Sequence, residues 1–427
     1  MKKYDMMLTE ENLVDSIKKD YLGRNKKLSK LIDILNSLSS NVVISIDGNW
    51  GTGKTIFVKQ LELINKKEDL NVLNKDSIKK FKANYSVFYY NAWENDMHDS
   101  PLLSIIYNLI NEYPDEKKHS VDSKVELPFN LKELLKSISG NLVDLDKFTS
   151  FEDISNEIFT TEKKRNALNQ LLENIIPKDK KLLFIIDELD RCKPSFAVNL
   201  LETLKHFFNN DSIVFIISTN NEQLSHTINN YYGNNFDGYS YLNKFYDLIL
   251  ELDEIDTEKY LNNVFNIKKT SQLSNYSLFS VIDYFKLDMR KINRILSDYD
   301  LLSTYFNTSY GGIYDEDLIV KHIFLPYCLG LKVHSRNKLS LFLNGKGLKE
   351  LLDFVMQEEK IKRIVEREIL KTNIYEEKNK ENIEELVTKR YNHYFTKNKD
   401  DTYELDYNKQ RFLDTFSLLG NFTKINL

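Results

Sequence analysis

Cysteine is almost missing from this chain, with 2 in 427 residues, at Cys192 and Cys328. Two thiols make neither a disulfide framework nor a metal cluster by themselves, and their scarcity suits a reducing cytoplasm. Proline and glycine are also few, at 6 and 13, which excludes collagen-like and low-complexity classes and leaves helices with few interruptions. Long apolar runs are lacking: the longest, Ile323 to Leu331, falls well short of the roughly twenty residues that span a bilayer. The opening stretch MKKYDMMLTEENLVDSIKKD carries charges every few residues and no apolar segment, and it reads as no secretory signal. Positive charge is in deficit, with a net charge of -5, so nucleic acid is not indicated as a general partner, though local basic faces fit that total. What remains is 41% hydrophobic and 29% charged, the composition of a globular, helix-rich, cytoplasmic protein long enough for two or three domains.

The scarce glycines are concentrated. Three of them lie in Gly48-Asn49-Trp50-Gly51-Thr52-Gly53-Lys54-Thr55, between the apolar run that starts at Val42 and an amphipathic stretch that starts near Lys54. This is the pattern G-x-x-x-x-G-K-[ST] in a strand-loop-helix setting. A triphosphate must be met by several backbone N–H groups at once, and glycine keeps side chains out of that approach. The helix that follows begins with unpaired N–H groups and the positive end of its dipole. Lys54 would reach the β- and γ-phosphates, and Thr55 would place its hydroxyl on Mg²⁺. The expected nucleotide-binding stretch is therefore Gly48, Asn49, Trp50, Gly51, Thr52, Gly53, Lys54, Thr55 and Ile56, with ATP as the nucleotide. Ahead of it, a helical pattern over Lys27 to Leu38 follows Leu22-Gly23-Arg24. Arg24 stands where P-loop ATPases often pack the base; a helix-ending glycine is the alternative.

Tyr85 to Trp93 reads as a second strand, followed by a helix from Pro101. Residues 115 to 163 read as a polar insertion. A helix over Lys163 to Ile176 then feeds Leu182 to Asp187, a near-continuous apolar strand of the kind buried in a parallel sheet. It ends in Asp187-Glu188-Leu189-Asp190-Arg191-Cys192. A carboxylate at the tip of a buried strand beside a phosphate loop holds Mg²⁺ through water, which assigns Asp187 as well as Thr55 to the metal. Glu188 is placed to polarise the attacking water as general base; Asp190 could serve instead, or could orient Arg191. Pro194 to Phe208 reads as a helix and Ile213 to Ser218 as another buried strand, ending in Thr219 and Asn220. Asn220 would hold the attacking water or sense the γ-phosphate, with capping of the chain as the ordinary alternative. Trp50 and Trp93, the only 2 tryptophans, each fall in a strand-end loop. Packing is the default for a tryptophan, but strand ends of an α/β sheet also line the ligand crevice.

From about residue 257 the pattern is helical throughout. Asp288 to Leu296 places Arg290 and Arg294 four apart on one helix face; Arg290 would touch the γ-phosphate and report hydrolysis, or would be simply solvated. Tyr391, Tyr394, Phe395, Tyr403, Tyr407, Phe412 and Phe416 form core or, alternatively, a partner surface. The expected divisions are a helical lead-in over 1–40, an α/β nucleotide domain over 41–256, and a helical region over 257–427 with a lid to about 305. The fold class is α/β, a P-loop NTPase parallel sheet flanked by helices, followed by an all-α C-terminal region.

The chain resembles the KAP family of P-loop NTPases. The matching pieces are Leu22-Gly23-Arg24, the tryptophan-bearing loop Gly48 to Thr55, Tyr90-Asn91-Ala92-Trp93, the block Ile186 to Cys192 with Pro194, and Tyr241-Leu242-Asn243-Lys244. The resemblance implies a nucleoside-triphosphatase of the AAA+ and STAND-related group, with Lys54, Asp187 and Glu188 carrying over directly. Many members carry transmembrane segments between the two nucleotide motifs, whereas the intervening stretch here is polar. Bacterial members are often linked to phage exclusion, which suggests antiviral defence. A homo-oligomer or partner-protein complex is expected. The alternatives are a nucleotide-gated scaffold with little turnover and a DNA-coupled ATPase subunit.

Overall fold

The computed structural model describes residues 8–67, 73–98, 100–112, 176–177, 179–207, 211–233, 235–253, 255–268, 273–308, 319–359, 361–366 and 382–396. The insertion expected over 115–163, nearly all of the helix expected before Leu182, and Tyr403, Tyr407, Phe412 and Phe416 lie outside them. The chain divides into two compact units, the larger comprising Leu8–Asp20 and Arg24–Asp253.

The larger unit is built on five strands: β1 (Val43–Asp47), β2 (Tyr85–Asn91), β3 (Lys181–Asp187), β4 (Ile213–Thr219) and β5 (Leu248–Glu251). All four strand pairings are parallel, in the order β2-β3-β4-β1-β5. The apolar runs fold this way because a parallel strand is covered by helices on both faces and must be hydrophobic on both. In β4 every residue is buried, and in β3 all but Lys181 are. Phe88, Phe184 and Phe215 meet across three strands, with ring centroids 5.0 and 5.4 Å apart. Around the sheet run α1 (Glu10–Lys18), α2 (Asn25–Ser37), α3 (Lys54–Lys66), α4 (Lys75–Asn84), α5 (Pro101–Glu112), α6 (Pro194–Phe207), α7 (Asn221–Tyr232) and the short α8 (Gly238–Leu242). α1 packs on α3 and α2 on α4.

The sequence pattern sets no strand order; in the sheet, β4 lies between β1 and β3. The ladder still aligns the tips: Asp47 pairs in register with Thr219, Ser218 with Asp187, and Asp187 with Asn91. The carboxyl ends of β1 to β4 therefore open on one edge, the position of ligand crevices in α/β sheets. β5 and α4 have no counterpart in the reading of the sequence.

The second unit contains Glu254–Leu427 with two short N-terminal segments. Its described part is helical, with α9 (Thr257–Phe265), α10 (Leu273–Tyr284), α11 (Met289–Thr308), a π-turn at Val320–Phe324 continuing into α12 (Leu325–His334), α13 (Arg336–Leu343), α14 (Leu348–Gln357) and α15 (Ile383–Phe395). Phe324, Tyr327, Phe342, Phe354, Tyr391, Tyr394 and Phe395 are buried together there. That outcome favours core over partner surface for the three C-terminal aromatics described.

Candidate nucleotide-binding site

The loop between β1 and α3 has the backbone that its glycines predict. Gly51 and Gly53 have φ of 81° and 85°, a left-handed region costly for residues with a Cβ. Gly48 is close-packed, since a Cβ there would meet Thr52 Oγ1 at 3.0 Å and the Leu252 carbonyl at 3.3 Å. The loop closes on itself: the Thr52 hydroxyl and N–H both donate to the Asn49 carbonyl, at 2.8 and 3.3 Å. Gly53 stands at the N-cap of α3 and has no side chain to cap it, so the first-turn N–H groups face outward to an acceptor from elsewhere. Lys54 Nζ donates to the Gly48 carbonyl at 2.5 Å and to the Asn49 carbonyl at 3.2 Å. Burial lowers the Lys54 pKa, while the carboxylates of Asp190, Asp187 and Asp47 push it back up.

Arg24 holds this loop from behind. Its guanidinium donates to the Thr52 carbonyl at 2.5 Å and to the Asp253 carbonyl at 2.6 Å, and only 6% of the residue is exposed. Burial pulls its pKa down to about 10, so it remains charged at neutral pH. Its own N–H donates to Asp20 Oδ1 at 2.7 Å.

The acidic block after β3 meets the loop. Asp187 is buried, with Oδ2 accepting from the Tyr89 hydroxyl at 3.1 Å and Oδ1 from the Glu188 N–H at 2.9 Å. Burial and the Asp187 charge push the Tyr89 phenol well above its ordinary range, so it stays a donor. Glu188 has φ 61° and ψ 27° and is followed by a 3₁₀ turn over Leu189–Arg191. Its carboxylate ion-pairs with Arg191 at 2.7 Å and accepts from Asn91 Nδ2 at 3.4 Å. The Arg191 guanidinium lies 5.3 Å from the centre of the Trp93 ring. Asp190 accepts from Trp50 Nε1 at 2.5 Å on one oxygen and from the Thr219 hydroxyl at 3.3 Å on the other.

A family model for the KAP family P-loop domain matches residues 24–306, well over half of the chain. This chain belongs to the KAP family. The match takes in Gly48 to Thr55, the acidic block after β3 and the whole sheet, so the sheet unit is a KAP-family P-loop domain. A second likeness is to the phenylalanine–tRNA ligase beta subunit of Mycoplasma mycoides subsp. mycoides SC, 26% identical over 202 residues, 46% of this chain and 24% of that protein. The chain thus spans about a quarter of the curated relative that it matches. Among the described residues of this KAP chain, no helix is long and apolar enough to cross a membrane, and no cluster of three or more His, Cys, Asp or Glu is placed to hold a metal ion.

The KAP fold brings Trp50 to Asp190, Arg191 to Glu188, and Lys54 into the field of Asp187. Thr55 is half-buried in the first turn of α3, next to the buried Ile56. Asn220 serves as the N-cap of α7, accepting from the Gln223 N–H at 3.1 Å. Arg290 is exposed on α11 in the helical unit, with its N–H donating to Asp288 Oδ1 at 3.0 Å. Two contributors were not singled out from sequence, Tyr89, which bonds Asp187, and Asp47, which accepts from the Asn221 N–H at 2.9 Å; Asn91, part of the matching piece Tyr90-Asn91-Ala92-Trp93, reaches Glu188. All three stand in the last positions of β1 or β2, so a parallel-sheet reading of those strands would have pointed to them.

Proposed function

We propose that this KAP protein binds ATP with Mg²⁺ in the crevice above the strand tips and hydrolyses it to drive a conformational or assembly change. The observation that carries this reading is the meeting of the phosphate loop with the acidic block, seen in the 2.5 Å bond from Trp50 to Asp190 and in the Asp187 and Asp190 fields at Lys54. Lys54 would exchange the Gly48 and Asn49 carbonyls for phosphate oxygens. The outward N–H groups of α3 would take the remaining phosphate charge. The hydroxyl of Thr55 and the carboxylate of Asp187 are hard oxygen donors of the kind that suit Mg²⁺, which is held by few protein groups together with substrate phosphates. When bound, the ion neutralises charge on the transferring phosphoryl group. Glu188 would align the attacking water, and Asn220 is the proposed sensor of the γ-phosphate.

Binding of a labelled ATP analogue to the full chain tests the site. Lys54→Ala should weaken it by about 100-fold, the scale of a lost charge-assisted contact to phosphate; equal affinity in that variant would remove Gly48 to Thr55 from nucleotide binding.

A second reading is a nucleotide-gated scaffold with little turnover. It is favoured by the Glu188 carboxylate, which is engaged by Arg191 at 2.7 Å and would have to exchange that partner before meeting water. Antiviral defence is the biological setting that membership of the family suggests, and a cytoplasmic location fits two buried free cysteines. Loss of phage protection on deleting the gene from its host would support that setting, and unchanged protection would remove it.

A further inference from the structure

We propose that Trp50 is a positioning residue for hydrolysis, whose indole N–H, acting through Asp190, sets the Glu188 turn against the phosphate loop. This rests on the ATPase reading above.

A phosphate loop favours small residues, and a tryptophan in one needs a reason. Burial does not supply it, because Trp50 is 47% exposed. Its single polar atom does: Nε1 donates to Asp190 Oδ2 at 2.5 Å. Asp190 is only 8% exposed, and its second oxygen takes the Thr219 hydroxyl at 3.3 Å. One buried carboxylate therefore ties together the loop after β1, the turn after β3 and the tip of β4, the strand that separates them. A bond to an ionised acceptor is the strong kind of hydrogen bond, and it fixes geometry as well as adding energy.

The residue that this arrangement orients is Glu188. Its left-handed backbone, at φ 61°, is one that a non-glycine residue keeps only when the surroundings impose it. The 3₁₀ turn that imposes it contains Asp190 and Arg191. Releasing Asp190 from the indole would let the turn relax and carry the Glu188 carboxylate away from its water. Phosphate contacts are made by the loop itself, so binding and hydrolysis should respond differently to loss of the indole N–H. Misplacing a catalytic group by about 1 Å costs on the order of 100-fold in rate; a partial relaxation should cost about tenfold.

The test uses the full chain. Trp50→Phe keeps a ring and removes the donor. It should lower kcat about tenfold while the affinity for a non-hydrolysable ATP analogue stays within about twofold. Asp190→Ala should lower kcat at least as much, and the double variant should lose no more than Asp190→Ala alone. Wild-type turnover in Trp50→Phe, or losses that multiply in the double variant, would overturn the proposal. A readout that needs no turnover is available because the chain has 2 tryptophans. With Trp93→Phe as background, Asp190→Ala should change the Trp50 emission maximum and speed its quenching by acrylamide; unchanged emission and quenching would overturn the bond itself. Absence of hydrolysis in the wild type would overturn the ATPase reading and the positioning role together, whereas wild-type hydrolysis with an indifferent Trp50→Phe would overturn the role alone.

Discussion

Lys54 is pulled in opposite directions by burial, which lowers its pKa, and by three carboxylates, which raise it, with burial the larger effect. The free protein therefore holds this proton less tightly than an ordinary lysine does, whereas bound phosphate would hold it more tightly. ATP affinity should be full at neutral pH and should fall as pH rises through the free-protein pKa, below the usual 10.5. A titration of affinity against pH checks this, and a profile flat to that value contradicts it. At the back of the loop, Arg24→Ala would leave the Thr52 and Asp253 carbonyls without their donor and should cost about 2–4 kcal/mol of stability, measured by urea unfolding. The residue scale was where the sequence spoke most clearly. Gly48 to Thr55 and Asp187 to Cys192 are each contiguous, and their chemistry depends on local backbone and residue type. Tyr89, Asn91 and Thr219 could not be ranked in this way, because what they do depends on which strand tip stands next to theirs.

At the scale of elements, β3 and β4 were legible because burial on both faces leaves an unbroken apolar run. β5 was not. It is an edge strand paired only with β1 among the described residues, its residues alternate between half-buried and exposed, and it follows a short helix without a clear break in pattern. α4 was missed because its buried face is only Ile78 and Phe81 amid four lysines. The place of β4 between β1 and β3 was hidden as well, since order in a parallel sheet is set by the crossovers and not by the strands themselves. The same burial gives a prediction: Phe184, wholly buried and ringed by Phe88, Tyr90 and Phe215, should cost about 3–5 kcal/mol on substitution by alanine. Denaturant unfolding would read it, and a loss under about 1 kcal/mol would show that the sheet core repacks freely.

At the scale of the whole molecule, the sheet unit carries Gly48 to Thr55 and the acidic block after β3, and the helical unit has an aromatic core of its own. Gly330 on α12 lies so close to α10 and the residue that follows it that an added Cβ would meet Val281 at 2.5 Å and Phe285 at 2.7 Å. Gly330→Ala should therefore destabilise the helical unit while leaving ATP binding by the sheet unit intact; lost binding would show that the loop depends on the helical unit. Whether the two units act as a motor or as a scaffold turns on one carboxylate. Phosphate release by the full chain with ATP and Mg²⁺, compared between wild type and Glu188→Gln, addresses it most directly. Hydrolysis paired with a water-aligning Glu188 predicts steady turnover in the wild type and a fall of at least 100-fold in the variant, with ATP still bound. Equal phosphate release from both proteins, or none from the wild type, would contradict it.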